Sequence, residues 1–292
     1  MTRNILILGA TGMLGQMVEK VLSADSDLIV SGTHISEQKD SFYFRAEKGI
    51  DKLEHIYRET GGYDYMINCI GITADKIRVE DSDSIILATL INSCFPHQLA
   101  KLAERFNFRV IHISTDGVFS GSAQSYDEDA AHDCPDIYGK TKSIGEVLTC
   151  GNFLNIRCSI IGPSPIEKRG FFEWFRSQPD GSTIRGHTNH IWNGITTLQF
   201  AEICRTIIKN DKFDRLRAES AVFHYAPNKP ITKYELLNIF KEALGKNIVI
   251  KPAGQSDKKI RRILESKYEG LRSLCDHDTS MVDAIKQLIT FI

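Results

Sequence analysis

Residues 5–15 decide the fold, and they read Ile5-Leu-Ile-Leu-Gly9-Ala-Thr-Gly12-Met-Leu-Gly15. An apolar strand passes through a glycine-rich turn into a helix that we expect to continue to about Ser23. Glycines let the backbone turn tightly and approach a pyrophosphate, which then lies at the positive N-terminus of the helix. Such a turn also needs glycine for structural reasons alone, but its place between a strand and a helix favours a dinucleotide-binding fingerprint.

Strands and helices alternate after this turn. Short β-rich runs occupy 4–8, 28–32, 65–70, 109–114 and 155–161, with a weaker candidate at 42–46. Amphipathic stretches separate most of them, which is typical of βαβ units. The pattern therefore predicts an α/β fold of the Rossmann type, a doubly wound parallel sheet with helices on both faces.

The pattern becomes irregular after residue 162, where the segment Gly162-Pro-Ser-Pro165 interrupts it. We expect a nucleotide-binding domain over 1–162 with a returning segment at about 195–226, and a smaller C-terminal lobe over 163–194 and 227–292. Residues 221–225 are the predicted strand of the returning segment. Two capping-box spacings, Thr196 with Gln199 and Thr232 with Glu235, predict two helix starts.

Composition excludes several classes of protein. The 292 residues contain 36 basic and 37 acidic side chains, so no overall charge attracts nucleic acid or an anionic membrane. The seven cysteines show no C-x-x-C spacing, which disfavours a disulfide framework or a thiolate zinc site, and we expect reduced, mostly buried thiols and no metal. No apolar stretch approaches about 18 residues. We expect a soluble cytoplasmic protein with no nucleic-acid or membrane partner.

Tyr138 and Lys142 are four residues apart in a segment predicted to be helical, so both side chains share one face. An ammonium beside a phenol lowers the tyrosine pKa from about 10 and makes Tyr138 a usable general acid. Lys142 would also donate hydrogen bonds to a nicotinamide ribose. Tyr225 and Lys229 have the same spacing, but Pro227 excludes a regular helix there, so we interpret Tyr225 as structural.

An apolar strand ends in Ser114 and Thr115, upstream of Tyr138. Ligands of open parallel sheets bind beyond the carboxyl ends of the strands. A hydroxyl at Thr115 can hydrogen-bond a substrate carbonyl and stabilise the oxyanion that forms as hydride arrives. Without Tyr138, the same residues would be interpreted as an ordinary Ser-Thr-Asp turn. Asn92, in the helical stretch 85–106, is expected to join Thr115, Tyr138 and Lys142 in the active site. A polar residue on a helix face is, however, often only solvated.

Cofactor preference depends on the end of the second strand, Gly32-Thr-His-Ile35. A carboxylate there would bind the ribose 2′-hydroxyl of NAD, but the next one along the chain is Glu37. We therefore expect NADPH in preference to NADH, with His34, Lys39 and Arg45 as candidate partners of the 2′-phosphate. The residues predicted to contact the cofactor are Gly9, Thr11, Gly12, Met13, Leu14, His34, Arg45, Cys69, Ile70, Gly71, Asn92, Ser114, Tyr138 and Lys142.

Taken in order, these motifs resemble the extended short-chain dehydrogenases, and more narrowly the dTDP-4-dehydrorhamnose reductase family. The matching segments are Gly9–Gly15, Asn68–Gly71, Asn92 with Pro96, Ser114–Phe119, and Tyr138–Lys142 with Gly145-Glu146, which span most of 4–162. The resemblance implies a Rossmann domain with a smaller sugar-nucleotide lobe. It also implies that Thr115, Tyr138 and Lys142 serve the reduction of a 4-keto group on a nucleotide-linked 6-deoxyhexose, and that Asn92 supports the active-site architecture.

Departures from the family concern the substrate. The family commonly has an aromatic residue after Ser-Thr-Asp and an aspartate after Val-Phe, where this chain has Gly117 and Ser120. Loss of an aromatic side chain reshapes a sugar pocket. We expect substrate contacts from Thr73, Val118, Phe119 and Trp192, although Trp192 would also suit a packed core. The candidates for a nucleotide-sugar diphosphate are Arg169, Arg176, Arg185 and His187.

Two other functions stay open. The same tyrosine and lysine serve epimerases and dehydratases that recycle a bound NAD, although dehydratases usually resemble Thr-Asp-Glu where this chain has Asp116-Gly117. A non-catalytic regulatory subunit could also use the fold to bind a dinucleotide or a partner. The presence of Thr115, Tyr138 and Lys142 together argues against a non-catalytic role. A homodimer is possible, but the sequence does not decide it.

Overall fold

The computed structural model describes residues 2–35, 42–276 and 279–292. Its strands are β1 (Arg3–Leu8), β2 (Leu28–His34), β3 (Phe42–Tyr43), β4 (Tyr65–Asn68), β5 (Arg109–Thr115), β6 (Phe153–Cys158), β7 (Ile160–Ile161), β8 (Thr183–His187), β9 (His190–Trp192), β10 (Ile195–Thr196), β11 (Val222–His224), β12 (Ile231–Thr232), β13 (Val249–Ala253) and β14 (Ile260–Arg262). Seven of them form a parallel sheet in the order β11-β6-β5-β4-β1-β2-β3. The predicted doubly wound parallel sheet is confirmed.

Helices connect these strands. They are α1 (Gly15–Ser23), α2 (Asp51–Glu59), α3 (Ser82–Thr89), α4 (Phe95–Phe106), α5 (Ile137–Ile144), α6 (Phe171–Ser177), α7 (Thr197–Lys209), α8 (Phe213–Glu219), α9 (Lys233–Ala243), α10 (Glu269–Arg272) and α11 (Met281–Phe291). A π-helix, Leu90–Cys94, joins α3 to α4. Short 3-10 helices cover Ala46–Lys48, Ala74–Lys76 and Asp116–Val118.

The centre of the sheet is buried on both faces. Side chains along β1 alternate between two separate hydrophobic cores, Ile5 and Ile7 in one, Leu6 and Leu8 in the other, and all four are fully buried. Parallel strands that are covered on both faces have this continuous apolar composition. The glycine turn after β1 is therefore held by a fully paired inner strand of the sheet.

Two predicted strands are shorter or divided. The strand predicted over 65–70 ends at Asn68, because the Asn68 side chain accepts a hydrogen bond from the Ile70 amide at 3.1 Å and turns the chain. The strand predicted over 155–161 begins at Phe153 and splits after Cys158, since Ile160–Ile161 leave the sheet and pair with β10. The weak candidate at 42–46 pairs with β2 over two residues only.

The C-terminal part of the chain supplies a second group of elements. There β8 pairs with β13, and β9 pairs with both β12 and β14. Both predicted capping boxes are present, at the starts of α7 and α9. The predicted returning strand is confirmed, because β11 joins the edge of the main sheet beside β6. Residues 225–229 form no helix, as Pro227 led us to expect.

All seven cysteines are free thiols, and four of them are buried. Among the described residues, no helix combines the length and the apolar character needed to cross a membrane.

Candidate active site

The glycine turn has the shape of a phosphate cradle. Gly9 has a φ of +80°, which favours glycine, and a Cβ on Gly15 would lie 2.1 Å from the Gly9 carbonyl oxygen. A Cβ on Gly12 would meet only that same oxygen, at 3.4 Å, and would otherwise project into open space. No described residue accepts a hydrogen bond from the amides of Met13 or Leu14, and no side chain caps α1. These features fit a pyrophosphate, which would accept from free amides at a helix N-terminus.

The end of β2 lies next to the glycine turn. Thr33 Oγ1 accepts a hydrogen bond from the Gly9 amide at 3.0 Å, which ties β2 to the glycine turn. Arg45 forms an ion pair with Glu47, so its charge is already partly neutralised. The sequence indicated no carboxylate before Glu37, but Glu19 of α1 reaches this strand end. The candidates Glu37 and Lys39 lie outside the described residues.

Thr115, Gly117 and Tyr138 meet at the carboxyl end of β5. Thr115 Oγ1 accepts from the Gly117 amide at 3.0 Å and hydrogen-bonds Tyr138. A Cβ on Gly117 would lie 2.9 Å from Tyr138 Cε1 and 3.2 Å from Thr115 Oγ1. Asp136 caps α5 by accepting from the Gly139 amide at 2.8 Å, and the predicted helical segment that carries Tyr138 and Lys142 is confirmed.

Burial raises the pKa of Tyr138 to about 12, against the opposing effect of the Thr115 hydrogen bond. Burial also lowers the pKa of Lys142 to about 8. The Lys142 ammonium donates to the Ile113 carbonyl at 2.8 Å and lies 3.4 Å from His112 Nε2. The expected lowering of the Tyr138 pKa by Lys142 is therefore wrong for this structure, because the ammonium points at the β5 backbone and desolvation of the phenol dominates.

Asn92 contacts protein groups through its whole amide. Its Oδ1 accepts from the Ile72 amide at 2.9 Å, and its Nδ2 donates to the Ile72 carbonyl at 2.9 Å and to Thr141 Oγ1 at 3.1 Å. A Cβ on Gly145 would lie 1.9 Å from the Asn92 carbonyl oxygen. Asn92 thus joins the chain that follows β4 to α5, and its contact with the cofactor stays a prediction.

The other residues predicted for the cofactor lie along the same edge. Cys69 and Ile70 are half-buried beside the glycine turn, and Gly71 is exposed after them. Ser114 is buried, and its hydroxyl donates to Glu146 Oε1 at 2.6 Å instead of facing the edge. Its contact with the cofactor stays a prediction.

A cavity of about 350 Å³ lies beside Asp116, the neighbour of Thr115. Its lining comprises Asp116, Ser159, Ile160, Ile161, Phe171, His190, Ile191, Trp192, Lys233, Leu236, Ile260 and Arg262. Trp192 is among them, and its contact with a substrate stays a prediction. Val118 and Phe119 are fully buried in a separate core with Tyr126 and Leu264, so their side chains do not reach this cavity. Thr73 is exposed and donates to Asp75 at 2.5 Å, away from the lining.

The charged groups of the cavity were missed by the sequence analysis. The Nε atom of Arg262 is buried without a hydrogen-bond partner among the described residues. Burial and Arg262 lower the pKa of Lys233, while burial raises the pKa of Asp116 and Arg262 opposes that rise. No motif marks these residues, since they reach the site only through the pairing of β14 and the start of α9.

The predicted diphosphate candidates lie elsewhere. Arg169 forms a 3.9 Å ion pair with Asp75, and Arg176 forms a 2.9 Å ion pair with Glu173. Arg185 and His187 are exposed on β8. None of the four lines the cavity.

Comparison with known proteins agrees with this architecture. A family model described as the RmlD substrate binding domain matches residues 3–266. The dTDP-4-dehydrorhamnose reductase of Salmonella typhimurium is 32% identical over 145 residues, 49% of this chain and 45% of that protein. Methionine adenosyltransferase 2 subunit beta of Rattus norvegicus is 24% identical over 242 residues, 80% of this chain and 70% of that protein.

Among solved structures, a dTDP-4-dehydrorhamnose reductase from Bacillus anthracis in complex with NADP has the same fold, with a TM-score of 0.78, 15% identity and full coverage of both chains. The alignment with the Salmonella protein spans less than half of that reductase. The family match, in contrast, extends over most of the sequence. The chain therefore belongs to the RmlD substrate-binding-domain family.

Proposed function

We propose that this protein is an NADPH-dependent reductase that acts on a nucleotide-linked 4-keto-6-deoxy sugar. One observation carries the proposal: Thr115 and Tyr138 meet against Gly117, next to the cavity and at the same sheet edge as the glycine turn. A carbonyl polariser and a proton donor that lie side by side are what reduction of a ketone requires. The related reductase of Salmonella typhimurium and the NADP complex of the Bacillus anthracis reductase support the same activity.

The glycine turn is proposed to hold the cofactor pyrophosphate, with Met13 and Leu14 donating from the start of α1. A bound reduced nicotinamide supplies the hydride. NADH is the alternative cofactor, and the end of β2 decides between the two. We propose that Lys142 binds the nicotinamide ribose from the face of α5 that also carries Tyr138.

Tyr138 is the proposed general acid. With a pKa of about 12 its phenol stays protonated at neutral pH, so a proton is available for the alkoxide that forms. Thr115 would donate to the same oxygen, because a Cβ on Gly117 would lie within 3.2 Å of both the Thr115 hydroxyl and the Tyr138 ring, which places the two side chains next to each other. Asn92 positions α5 through Thr141 and does not need to touch the substrate.

The substrate lobe is proposed to comprise 163–194 and 227–292, with 1–162 and the returning segment at about 195–226 forming the dinucleotide domain. Lys233 and Arg262 bring two positive charges into a cavity that is otherwise mainly apolar. We propose that they bind the diphosphate of a nucleotide sugar, because Arg pairs well with phosphate oxygens. Trp192 would pack against the sugar or the base.

Oxidation of NADPH in the presence of a panel of 4-keto nucleotide sugars tests the proposal directly. Tyr138→Phe should lower kcat by about 10²- to 10⁴-fold without changing cofactor affinity. Tyr225→Phe is the matched control, because Tyr225 is a buried tyrosine that likewise stands four residues before a lysine, yet lies outside the site. Equal activity of Tyr138→Phe and wild type would remove the proposed acid. Tightly bound NAD in the purified protein would instead favour an epimerase.

The alternative is a regulatory subunit, and methionine adenosyltransferase 2 subunit beta of Rattus norvegicus, 24% identical over 80% of this chain, is a similar protein whose name describes a subunit. Such a protein would bind a dinucleotide and an enzyme partner without turnover. Cofactor binding with no oxidation of NADPH across the sugar panel would support it.

A further inference from the structure

The end of β2 is approached by a carboxylate that belongs to α1. A Cβ on Gly32 would lie 2.7 Å from Glu19 Oε1 and 3.4 Å from His34 Nε2. Both groups therefore reach the same point on one face of β2. Residues 32 and 34 share that face because side chains alternate along a strand. The absence of a side chain at Gly32 is what admits the Glu19 carboxylate.

Glu19 and His34 are electrostatically linked. Glu19 is partly buried, which raises its pKa, and the His34 imidazole opposes that rise. Nδ1 of His34 is buried and has no hydrogen-bond partner among the described residues. The strand end thus holds an imidazole whose buried Nδ1 has no partner among the described residues, and a carboxylate that interacts with it electrostatically.

We propose that Glu19 and His34 form a pair that selects NADPH over NADH, with His34 binding the ribose 2′-phosphate and Glu19 as the positioning residue behind it. This inference rests on the proposed function, because it needs a dinucleotide in the glycine turn. The ribose 2′ substituent lies at the end of the second strand in this fold. The His34 ring can donate a hydrogen bond to a 2′-phosphate, and the Glu19 carboxylate attracts the ring electrostatically. A 2′-hydroxyl provides no such charge, so the pair strengthens the binding of NADPH alone.

Fluorescence titration of the purified full-length protein with NADPH and with NADH tests the pair without any sugar substrate. Glu19→Gln keeps the shape of the side chain and removes its charge, and His34→Gln removes the imidazole. We expect the Kd for NADPH to rise about tenfold or more in each variant, while the Kd for NADH changes less than about twofold. Glu202→Gln is the matched control, because partial desolvation also raises the pKa of Glu202, on the neighbouring α7, and no imidazole acts on it.

Two outcomes would overturn the proposed role of Glu19 and His34 in selecting NADPH while leaving the proposed function intact. Tighter NADPH binding by Glu19→Gln would show that the carboxylate repels the 2′-phosphate, and an unchanged ratio of the two Kd values would show that Glu19 has no part in selection. Failure of the wild-type protein to bind either dinucleotide would overturn the proposed function together with this inference.

Discussion

At the scale of single residues, Gly117 determines where the Tyr138 ring lies. A Cβ at 117 would lie 2.9 Å from the ring and 3.2 Å from the Thr115 hydroxyl, so both proposed catalytic groups would have to shift. We predict that Gly117→Ala lowers kcat by roughly ten- to a hundredfold, because small displacements of reacting groups cause large losses of rate. Steady-state kinetics with NADPH and the best sugar of the panel would measure this.

The control for this prediction is Gly151→Ala, because a Cβ at Gly151 would have no heavy atom within 4 Å. It should retain wild-type kcat. If Gly117→Ala also retained wild-type kcat, the Tyr138 ring could move without loss of activity. The site would then tolerate a side chain at position 117, as the dTDP-4-dehydrorhamnose reductase family tolerates an aromatic residue.

Lys142 provides a second prediction at this scale, about stability. Its pKa is lowered from 10.5 to about 8, so the unfolded chain binds the proton more strongly than the folded one. Between pH 8 and 10.5 the free energy of unfolding of the wild type should therefore rise with pH relative to Lys142→Met. At pH 7 the variant should be more stable by about 1–2 kcal/mol, after allowing for the lost hydrogen bond to Ile113, and inactive.

Urea unfolding followed by circular dichroism at several pH values would measure this difference. Parallel curves for the two proteins between pH 8 and 10.5 would contradict a lowered pKa for Lys142. Because Tyr138 is present in both, its own titration cancels in the comparison.

Local spacing explains which site residues the sequence predicted. Thr115, Tyr138 and Lys142 were found because a strand end and one helix turn are short-range features, and the structure brings Thr115 and Tyr138 together. Glu19 and Arg262 were missed because each reaches the site from an element whose position depends on tertiary packing. The sequence predicted the Lys142 ammonium beside the Tyr138 phenol, but in the structure it donates to the Ile113 carbonyl of β5. The position of a side chain on a helix face does not reveal such a competing acceptor on another element.

At the scale of elements, the π-helix Leu90–Cys94 is the departure that matters most. The sequence predicted one continuous helix over 85–106, and the structure widens it at the turn that carries Asn92. Inserted turns of this type often occur at functional sites. Here the insertion brings the Asn92 amide to the Ile72 backbone and to Thr141. Apolar periodicity alone does not distinguish a single π turn from an α-helix.

Asn92→Ala should lower both stability and activity. It leaves the half-buried Ile72 amide and carbonyl without their partner, which costs about 0.5–1.5 kcal/mol. It also loosens α5, so kcat should fall while the KM for NADPH changes little. Asn152→Ala is the control, since the Asn152 side chain likewise bonds backbone carbonyls, of Ala103 and Phe108, but far from the site. An equal loss of kcat in both variants would reduce Asn92 to a purely structural residue.

Other elements follow the predicted pattern where the signal is strong. Helix starts at α7 and α9 were predicted from capping boxes, which are local and chemically specific. Strand ends moved wherever a side chain or a new partner competed for the backbone, as at Asn68 and at Ile160. Pairing partners such as β10 for β7 are non-local, and no window of sequence contains them.

At the scale of the whole molecule, a buried polar network ties the main sheet to the segment that carries Arg262. Arg157 of β6 donates to Glu146 at 2.7 Å through two nitrogens and to the Glu128 carbonyl at 3.3 Å. Glu128 in turn accepts from the His224 amide at 2.8 Å and from the Lys267 amide at 3.0 Å. The strand ends and the chain after β14 thus share one set of hydrogen bonds, which positions the cavity relative to Thr115.

Loss of the Arg157–Glu146 pair at the centre of this network should lower the free energy of unfolding. Arg157→Met leaves the Glu146 carboxylate buried and unpaired, which should lower the free energy of unfolding by about 3–5 kcal/mol. Adding Glu146→Leu should recover part of that loss, because the uncompensated charge is then removed. Arg58→Met, which breaks the exposed Arg58–Glu54 pair of α2, should cost less than about 1 kcal/mol.

The loss of stability at acid pH provides the final test of the network, and the lowered pKa of Glu146 determines its direction. Arg157 holds the pKa of Glu146 below its ordinary value despite burial, so the pair stabilises the fold at neutral pH and loses that effect as the pH falls through the lowered pKa. The wild type should therefore lose more stability on acidification below about pH 4.5 than the double variant Arg157→Met/Glu146→Leu. Urea unfolding at neutral and acid pH would measure both proteins. Identical acid sensitivity would mean that other carboxylates, and not this buried pair, set the acid limit of the fold.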